Sequence, residues 1–368
     1  MNRIRVKSIC KDSVLIVLIS LCLLLLTEGF FSFLIVFYNL SKNPQVIAES
    51  FHTEYDSVLG WINRENCIIQ DMYGPGKHLR TNSQRFRNRH DFDISVPEGK
   101  RRWICAGDSF TLGYGVDNDH TWCSLLTSNI PNLETVNMGQ GGYGIDQAYL
   151  WYMRDGVGLQ HDVLVFAFIT YDFDRMTRSH SGGNPRPRLC VSDGRVIQQN
   201  FPVPRPGFLA RSLPRYRSAI RQLSIVRMTD FLRRKIQGSN SDPESETMEL
   251  ALSIIGELNT INNHSDQTVL LVHLPTREDF RSPEISGFWR EFLRSQAGTN
   301  QWNYIDLIED FRDLNPESVP ELFIQNDLPG FIASSGHYTE KGNQYIADLL
   351  VKKIASTPSI RGLVRTPE

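Results

Sequence analysis

Trp103-Ile104-Cys105-Ala106-Gly107-Asp108-Ser109-Phe110-Thr111-Leu112 runs from a short apolar stretch into a turn. The first four residues read as a buried strand. Gly, Asp and Ser then supply the backbone freedom and local hydrogen bonds that turns need. A strand that stops at a tight turn presents Ser109 at the mouth of a sheet, so Ser109 is the first candidate for chemistry. Asp108 also has a plainer reading, as an Asx side chain that steadies the turn.

Three later stretches repeat the theme of an apolar run followed by polar residues. Thr121 to Ile130 has the look of a helix, and after it comes Val136-Asn137-Met138-Gly139-Gln140-Gly141-Gly142-Tyr143-Gly144. Glycines in such a loop let backbone N–H groups face an oxyanion with no Cβ in the way. Asn137 also reads simply as a strand-end cap. Val163-Leu164-Val165-Phe166-Ala167-Phe168-Ile169 stops at Thr170-Tyr171-Asp172, where Asp172, like Asp108, is a candidate substrate-binding residue and, with Asp174, reads equally as a solvated loop carboxylate. Near the C-terminus Gly336-His337-Tyr338-Thr339-Glu340-Lys341-Gly342-Asn343 leads into an amphipathic helix from Gln344 to Ile354, and His337 can serve as a base.

In this order, with a nucleophilic serine, a glycine loop, a polar strand end and a late histidine, the chain resembles the SGNH (GDSL-type) hydrolases from about Arg101 to Ile354. The resemblance implies a three-layer α/β/α, flavodoxin-like fold with a mainly parallel sheet. It implies Ser109 as nucleophile, His337 as general base, and the N–H groups of Ser109 and Gly142 as oxyanion donors. No Cys-x-x-Cys or His-rich spacing suggests a metal, and no cofactor is expected.

Two positions depart from the family pattern. Where the family has Asn-Asp in its third block, with the Asn side chain donating to the oxyanion, this chain has Tyr171-Asp172. The Tyr171 hydroxyl and Thr170 are the candidate substitutes. Three residues before the histidine, where the family keeps its acid, stands Ser334. The support for His337 is then a backbone carbonyl, Ser334 or a more distant acid; Asp327 is the nearest upstream carboxylate.

The N-terminus has its own pattern. Val14 to Leu26 is apolar apart from Ser20, and Gly29 to Tyr38 continues the run past Glu28. Residues 14–38 exceed the roughly 20 that a membrane-spanning helix needs. The run is too long for a signal-peptide core and no small-x-small cleavage site follows it, so an uncleaved anchor is expected. Arg3, Arg5, Lys7 and Lys11 precede it and Lys42 follows it closely. That bias puts the N-terminus in the cytoplasm and the rest of the chain outside, periplasmic or extracellular.

The remaining organisation is simpler. Hydrophobic residues make up 40% and charged residues 22%, and the formal charge of −2 argues against nucleic acid as a partner. Ser41 to Lys100 reads as a connector of extended segments packing beside the core. Residues 175–246 form an insertion, in which Asp193-Gly194 between β-formers signals a hairpin. Its later part, Arg211 to Lys235, is rich in arginine. Helical spacing over Thr247 to Ile261, a buried strand at Val269 to Pro275, a helix from Gly287 to Ser295 and a strand at Tyr304 to Ile308 continue the alternation expected of a parallel sheet with helices on both faces. The core extends to about residue 356, with a tail over 357–368. The cysteines that follow the apolar run, Cys67, Cys105, Cys123 and Cys190, allow three pairings, and spacing does not choose among them.

The function expected from these features is a membrane-tethered serine esterase facing outward. Its partner would be an ester-bearing substrate, with O-acetyl groups on an envelope polysaccharide as one form. Two alternatives use the same scaffold: a polysaccharide O-acyltransferase, and a weakened module that binds glycan or scaffolds an envelope complex.

Overall fold

Residues 15–30, 33, 49–181, 184–205, 243–328, 331 and 334–364 are described by the computed structural model. The chain divides into two units, Met1–Gln45 with Pro206–Asp242, and Val46–Arg205 with Pro243–Glu368. In the first, residues 15–30 are helical, and the large apolar side chains from Leu15 to Leu26 are exposed. Among the described residues no helix is long and apolar enough to cross a membrane. Val14, Phe31, Ser32 and 34–38 of the expected span lie outside the described residues, as does the arginine-rich stretch from Arg211 to Lys235.

The second unit is built on five strands: β1 (Arg101–Gly107), β2 (Leu133–Gly139), β3 (Val163–Phe168), β4 (Thr268–His273) and β5 (Asn303–Asp306). They are parallel throughout and lie in the spatial order β2-β1-β3-β4-β5. This is the flavodoxin-like order, in which the chain departs from β1 in one direction and returns on its other side at β3. Loops leaving the C-terminal ends of strands at such a reversal leave a crevice between them. Ser109 follows β1 there, so strand order alone places it at the natural site.

Period-two alternation divides the strand side chains between two cores. Ile104, Ala106, Val136, Met138, Leu164, Phe166, Val269 and Leu271 face one layer of helices. That layer holds α3 (Ile145–Trp151), α5 (Pro243–Asn263) and α7 (Glu284–Asn300). Trp103, Cys105, Val163, Val165, Leu270, Val272 and Ile305 face the other, with α2 (Trp122–Asn129) and α8 (Glu340–Ser356). The near-continuous apolar strands are what a parallel sheet covered on both sides requires. Three shorter helices matter for the site: α1 (Ser109–Leu112), α4 (Tyr171–Met176) and α6 (Arg277–Arg281).

Several boundaries differ from those read in the sequence. The strand expected at Tyr304 to Ile308 stops at Asp306, because Asp306 Oδ1 accepts the Ile308 N–H at 3.0 Å and turns the chain into the helix Ile308–Arg312. The helix expected from Thr247 begins at Pro243, a residue suited to a first helical turn. Arg175 and Met176 complete α4 and do not open the insertion.

Within the insertion, Leu189–Ser192 pairs antiparallel with Arg195–Gln198. Asp193 and Gly194 between them both have positive φ, as a two-residue hairpin of this kind demands. The connector forms a second hairpin, Thr53–Asp56 with Gly60–Asn63. Its Leu59, Trp61 and Ile62, with Phe86 and Phe92 further on, are buried in the same core as α3 and α5. Cys67, Cys105, Cys123 and Cys190 are all free thiols.

Candidate active site

The serine corner is fixed from several sides. Asp108 leaves β1 in an extended conformation and its Oδ1 accepts the Phe110 N–H at 2.9 Å, which makes it the N-cap of α1. The plainer reading of Asp108 therefore describes its geometry. Behind α1, the end of β2 passes so closely that a Cβ on Gly139 would stand 2.0 Å from the Leu112 nitrogen. Only glycine permits that approach. Asn137 holds the two together: its Nδ2 donates to Thr111 O and its Oδ1 accepts from Gly139 N, each at 2.9 Å. Asn137 is thus a strap between β2 and the serine helix, a larger role than capping its own strand.

His337 comes from the opposite side of the crevice. Its loop is tied by Gly336 N–H to Ile324 O and Ile324 N–H to His337 O, both at 2.8 Å, beside a bridge between Phe323 and Tyr338. The Phe110 and Tyr114 rings lie 4.6 and 5.1 Å from the imidazole centroid. His337 Nε2 stands 2.7 Å from Ser109 Oγ, and Nδ1 faces the Ser334 carbonyl at 3.3 Å. A carbonyl oxygen can only accept, so this pairing puts the proton on Nδ1. Nε2 is left with its lone pair toward the serine hydroxyl, the tautomer a general base needs.

Of the supports left open for His337, the backbone carbonyl of Ser334 faces Nδ1. The Ser334 hydroxyl is engaged elsewhere, donating to Phe331 O at 3.0 Å and accepting from Leu328 N at 2.7 Å. Asp327 Oδ1 accepts the Ser335 N–H at 3.0 Å.

Asp172 is not a solvated loop carboxylate. It is 2% exposed, and its partner is Arg175, one helical turn on. Arg175 Nη1 donates to Asp172 Oδ1 at 2.5 Å, to Asp108 Oδ2 at 2.9 Å and to Tyr143 O at 2.8 Å. One guanidinium therefore links the strand ends of β1 and β3 and the glycine loop after β2. Burial raises the Asp172 pKa well above the usual carboxylate range, and the neighbouring Asp108 carboxylate adds to this against the pull of Arg175. Asp174 does lie exposed.

The loop after β2 holds Gly142 at positive φ. The Gly142 carbonyl accepts from Arg186 Nη1 at 2.8 Å and the Gly141 carbonyl from Trp61 Nε1 at 3.0 Å. With the carbonyls so engaged, the loop is fixed by residues from the connector and the insertion. Arg186 in turn is paired in the interior with Asp146 at 2.8 Å.

The two candidate substitutes for the family's Asn are not in contact with Ser109. Thr170 Oγ1 is bonded to His273 Nε2 at 3.0 Å, and His273 Nδ1 to the Tyr304 hydroxyl at 3.0 Å. Tyr171 packs at the edge of the core and feels Glu278, Asp279 and Asp174, which together with burial raise its pKa. Burial lowers the His273 pKa to about 4. Sequence reading had missed Arg175, although the spacing from Asp172 is the i, i+3 interval of a helical ion pair. It had also missed His273, whose partners are too distant along the chain to leave a local signal. Among the described residues no group of three or more His, Cys, Asp or Glu side chains is placed to hold a metal ion.

No protein-family model matches the chain, and no curated protein matches it. Among solved structures it is similar to a member of the lipolytic protein G-D-S-L family from Veillonella parvula DSM 2008, at 13% identity and a TM-score of 0.39, over 70% of this chain and 100% of that one. It is similar to the acetyl xylan esterase AlAXEase at 17% identity and a TM-score of 0.41, over 69% and 99% of the two chains. A lipase/acylhydrolase from Enterococcus faecalis gives 14% identity and a TM-score of 0.40, over 73% and 99%. At these values the likeness carries no argument about chemistry, which rests on the geometry of Ser109 and His337.

Proposed function

We propose that the chain is a serine esterase of the SGNH type that works through an acyl-Ser109 intermediate. The observation that carries this reading is the 2.7 Å contact between His337 Nε2 and Ser109 Oγ, at the strand reversal and with Nδ1 turned to a carbonyl. Ser109 Oγ attacks the ester carbonyl as its proton passes to His337 Nε2. The negative charge that forms on the carbonyl oxygen is met by the N–H groups of Ser109 and Gly142. Collapse of the tetrahedral intermediate breaks the bond to the alcohol, which leaves with the proton from Nε2. Water then attacks the acyl-enzyme, giving a proton to His337 Nε2, and the second tetrahedral intermediate collapses as that proton returns to Ser109 Oγ and the acid departs.

A missing oxyanion donor costs about 10²–10³ in turnover in a comparable site. With Thr170 bonded to His273, a donor set of two N–H groups predicts a slow enzyme on simple esters. The substrate class is an ester on an alcohol, with O-acetyl on an envelope glycan the leading form.

The same reading keeps residues 14–38 as a membrane anchor with the active site outside. It is supported by the basic residues before the run and by the exposed apolar side chains from Leu15 to Leu26 on a helix with no polar face. Fusing alkaline phosphatase to the C-terminus tests the orientation, since that reporter is active only outside the cytoplasm. Active fusions are expected, and inactive ones reverse the orientation.

The chemical test is reaction of the full chain with a fluorophosphonate and mapping of the adduct by mass spectrometry. Labelling is expected at Ser109 and is expected to vanish in Ser109→Ala and His337→Ala. Folded protein that takes no label removes the esterase reading.

A further inference from the structure

Among the described residues two interior arginines, Arg186 and Arg277, have a buried Nε without a hydrogen-bond partner, and they differ in what holds the rest of the guanidinium: Arg186 donates to Gly142 O and to Asp146 Oδ1. Arg175 Nη1 donates to two carboxylates and a carbonyl. Arg87 donates to Asn118 Oδ1 and to the Leu112, Gly113 and Val116 carbonyls. Arg102 donates to Glu134 and to a series of carbonyls that includes Asp93 and Gln160. Arg277 is only 19% exposed along its side chain, yet its buried Nε has no hydrogen-bond partner. Among the described residues the carboxylate paired with it is that of the adjacent and more exposed Glu278, at a loose 3.6 Å.

Arg277 also stands in a telling place. It follows the C-terminal end of β4, on the same edge of the sheet as Ser109. Its backbone is set by Thr276, whose N–H and Oγ1 both donate to Asp279 Oδ2 at 2.7 Å. Its Nη2 lies 3.9 Å from where a Cβ on Gly336 would stand, and Gly336 precedes His337. A positive fork with spare donors is thus held beside the base. Leaving the buried Nε unpaired is costly. A planar oxyanion matches its donors in bidentate geometry.

We propose that Arg277 is a specificity-determining residue, reading an anionic oxygen group, carboxylate or phosphate, on the molecule that carries the ester. This rests on the esterase reading and narrows it: the preferred ester belongs to an acidic glycan unit or a sugar phosphate and not to a neutral sugar. The anion contributes to ground-state binding and to placing the carbonyl against Ser109, and takes no part in bond making.

The test separates binding from turnover. Full-length Ser109→Ala protein in detergent is titrated by calorimetry with three ligands: an O-acetylated uronic-acid oligosaccharide, its methyl ester, and an O-acetylated sugar phosphate. The free acid or the phosphate is expected to bind about tenfold to a hundredfold more tightly than the methyl ester, the size of a hydrogen bond to a charged group. Whichever of the two binds more tightly identifies the anion. The gap is expected to close when Arg277→Gln is added and to persist in part in Arg277→Lys, which also guards against a variant that fails to fold. Equal binding of all three ligands, no binding of any, or a gap that survives Arg277→Gln overturns the proposal. Turnover by the wild type is read separately. Hydrolysis of the methyl ester with no preference for the anions leaves the esterase standing without this inference, and an anion preference in binding with no turnover of any ligand does the reverse.

Discussion

Ser109 and His337 meet at 2.7 Å, but the two sides of that contact are held by different physics. The serine side is locked by side chains from three strand ends: Asp108 caps α1, Asn137 straps it to β2, and Arg175 draws in Asp108, Asp172 and the Tyr143 carbonyl. The histidine side hangs on backbone bonds between Ile324, Gly336 and His337, with aromatic rings against the imidazole and a carbonyl behind it. Side-chain charge sets the nucleophile and loop backbone sets the base. Substitutions on the first side should therefore cost fold stability, and those on the second should mostly alter local order.

The sharpest way to break this contrast is Arg175→Met. It leaves Asp108 and Asp172 buried with no cation between them, and removing one partner of such an ion pair costs about 3–5 kcal/mol. Urea unfolding of the full chain is expected to move by that amount, with Ser109 labelling slowed in the protein that remains folded. A change below about 1 kcal/mol would mean that the serine corner does not depend on the network.

His273 gives a pH-dependent version of the same test on the serine side. Its folded pKa of about 4 lies below the ordinary histidine value, so the unfolded chain binds the proton first as pH falls. The stability it contributes is complete above pH ~6.5 and is lost progressively toward pH ~4, by about 3 kcal/mol. Comparing unfolding at pH 7 and pH 4.5 in wild type and His273→Gln should show a smaller fall in the variant. Equal falls would take His273 out of the account.

On the histidine side Ser334→Ala is informative because the hydroxyl and the carbonyl of that residue do different things. Loss of the hydroxyl strands the Leu328 N–H and costs about 1–2 kcal/mol. Labelling of Ser109 should stay within several-fold of wild type, since the carbonyl still faces Nδ1. A collapse of labelling in well-folded Ser334→Ala protein would make the side chain the true support of His337.

The smallest effect is expected at Gln140. Its side chain is fully buried, and neither amide atom has a hydrogen-bond partner. Gln140→Met keeps the shape and removes the unsatisfied groups, so stability should be unchanged or rise by up to about 1 kcal/mol. A loss of more than that would show that the amide has work in the glycine loop.

The sequence was readable where structure is local. Apolar runs marked the strands, Asp-Gly marked the hairpin at Asp193, and Gly-Asp-Ser marked the corner at Ser109. Strand and helix ends moved by a few residues because single side chains decide them, as Asp306 does by accepting the Ile308 N–H where the strand ends. What stayed hidden was the long-range wiring. Arg175 reaches a carboxylate in another block, Asn137 bonds to a helix that precedes its strand, and Thr170 is taken by His273 from β4. Each contact joins residues that only the 2-1-3-4-5 strand order brings together, so no local pattern announces it. Asp172 is a different case: open in the sequence between a site residue and a solvated carboxylate, it is buried with its cation one helical turn away, a local i, i+3 pair that the sequence does carry.

The central claim is that His337 makes Ser109 a nucleophile, and the most direct measurement is the rate of fluorophosphonate labelling at Ser109 as a function of pH. The account predicts stoichiometric adduct at Ser109, a rate that rises with pH as His337 loses its proton, and a fall of about 10³-fold or more in His337→Ala. Labelling that is independent of pH and survives His337→Ala would contradict it.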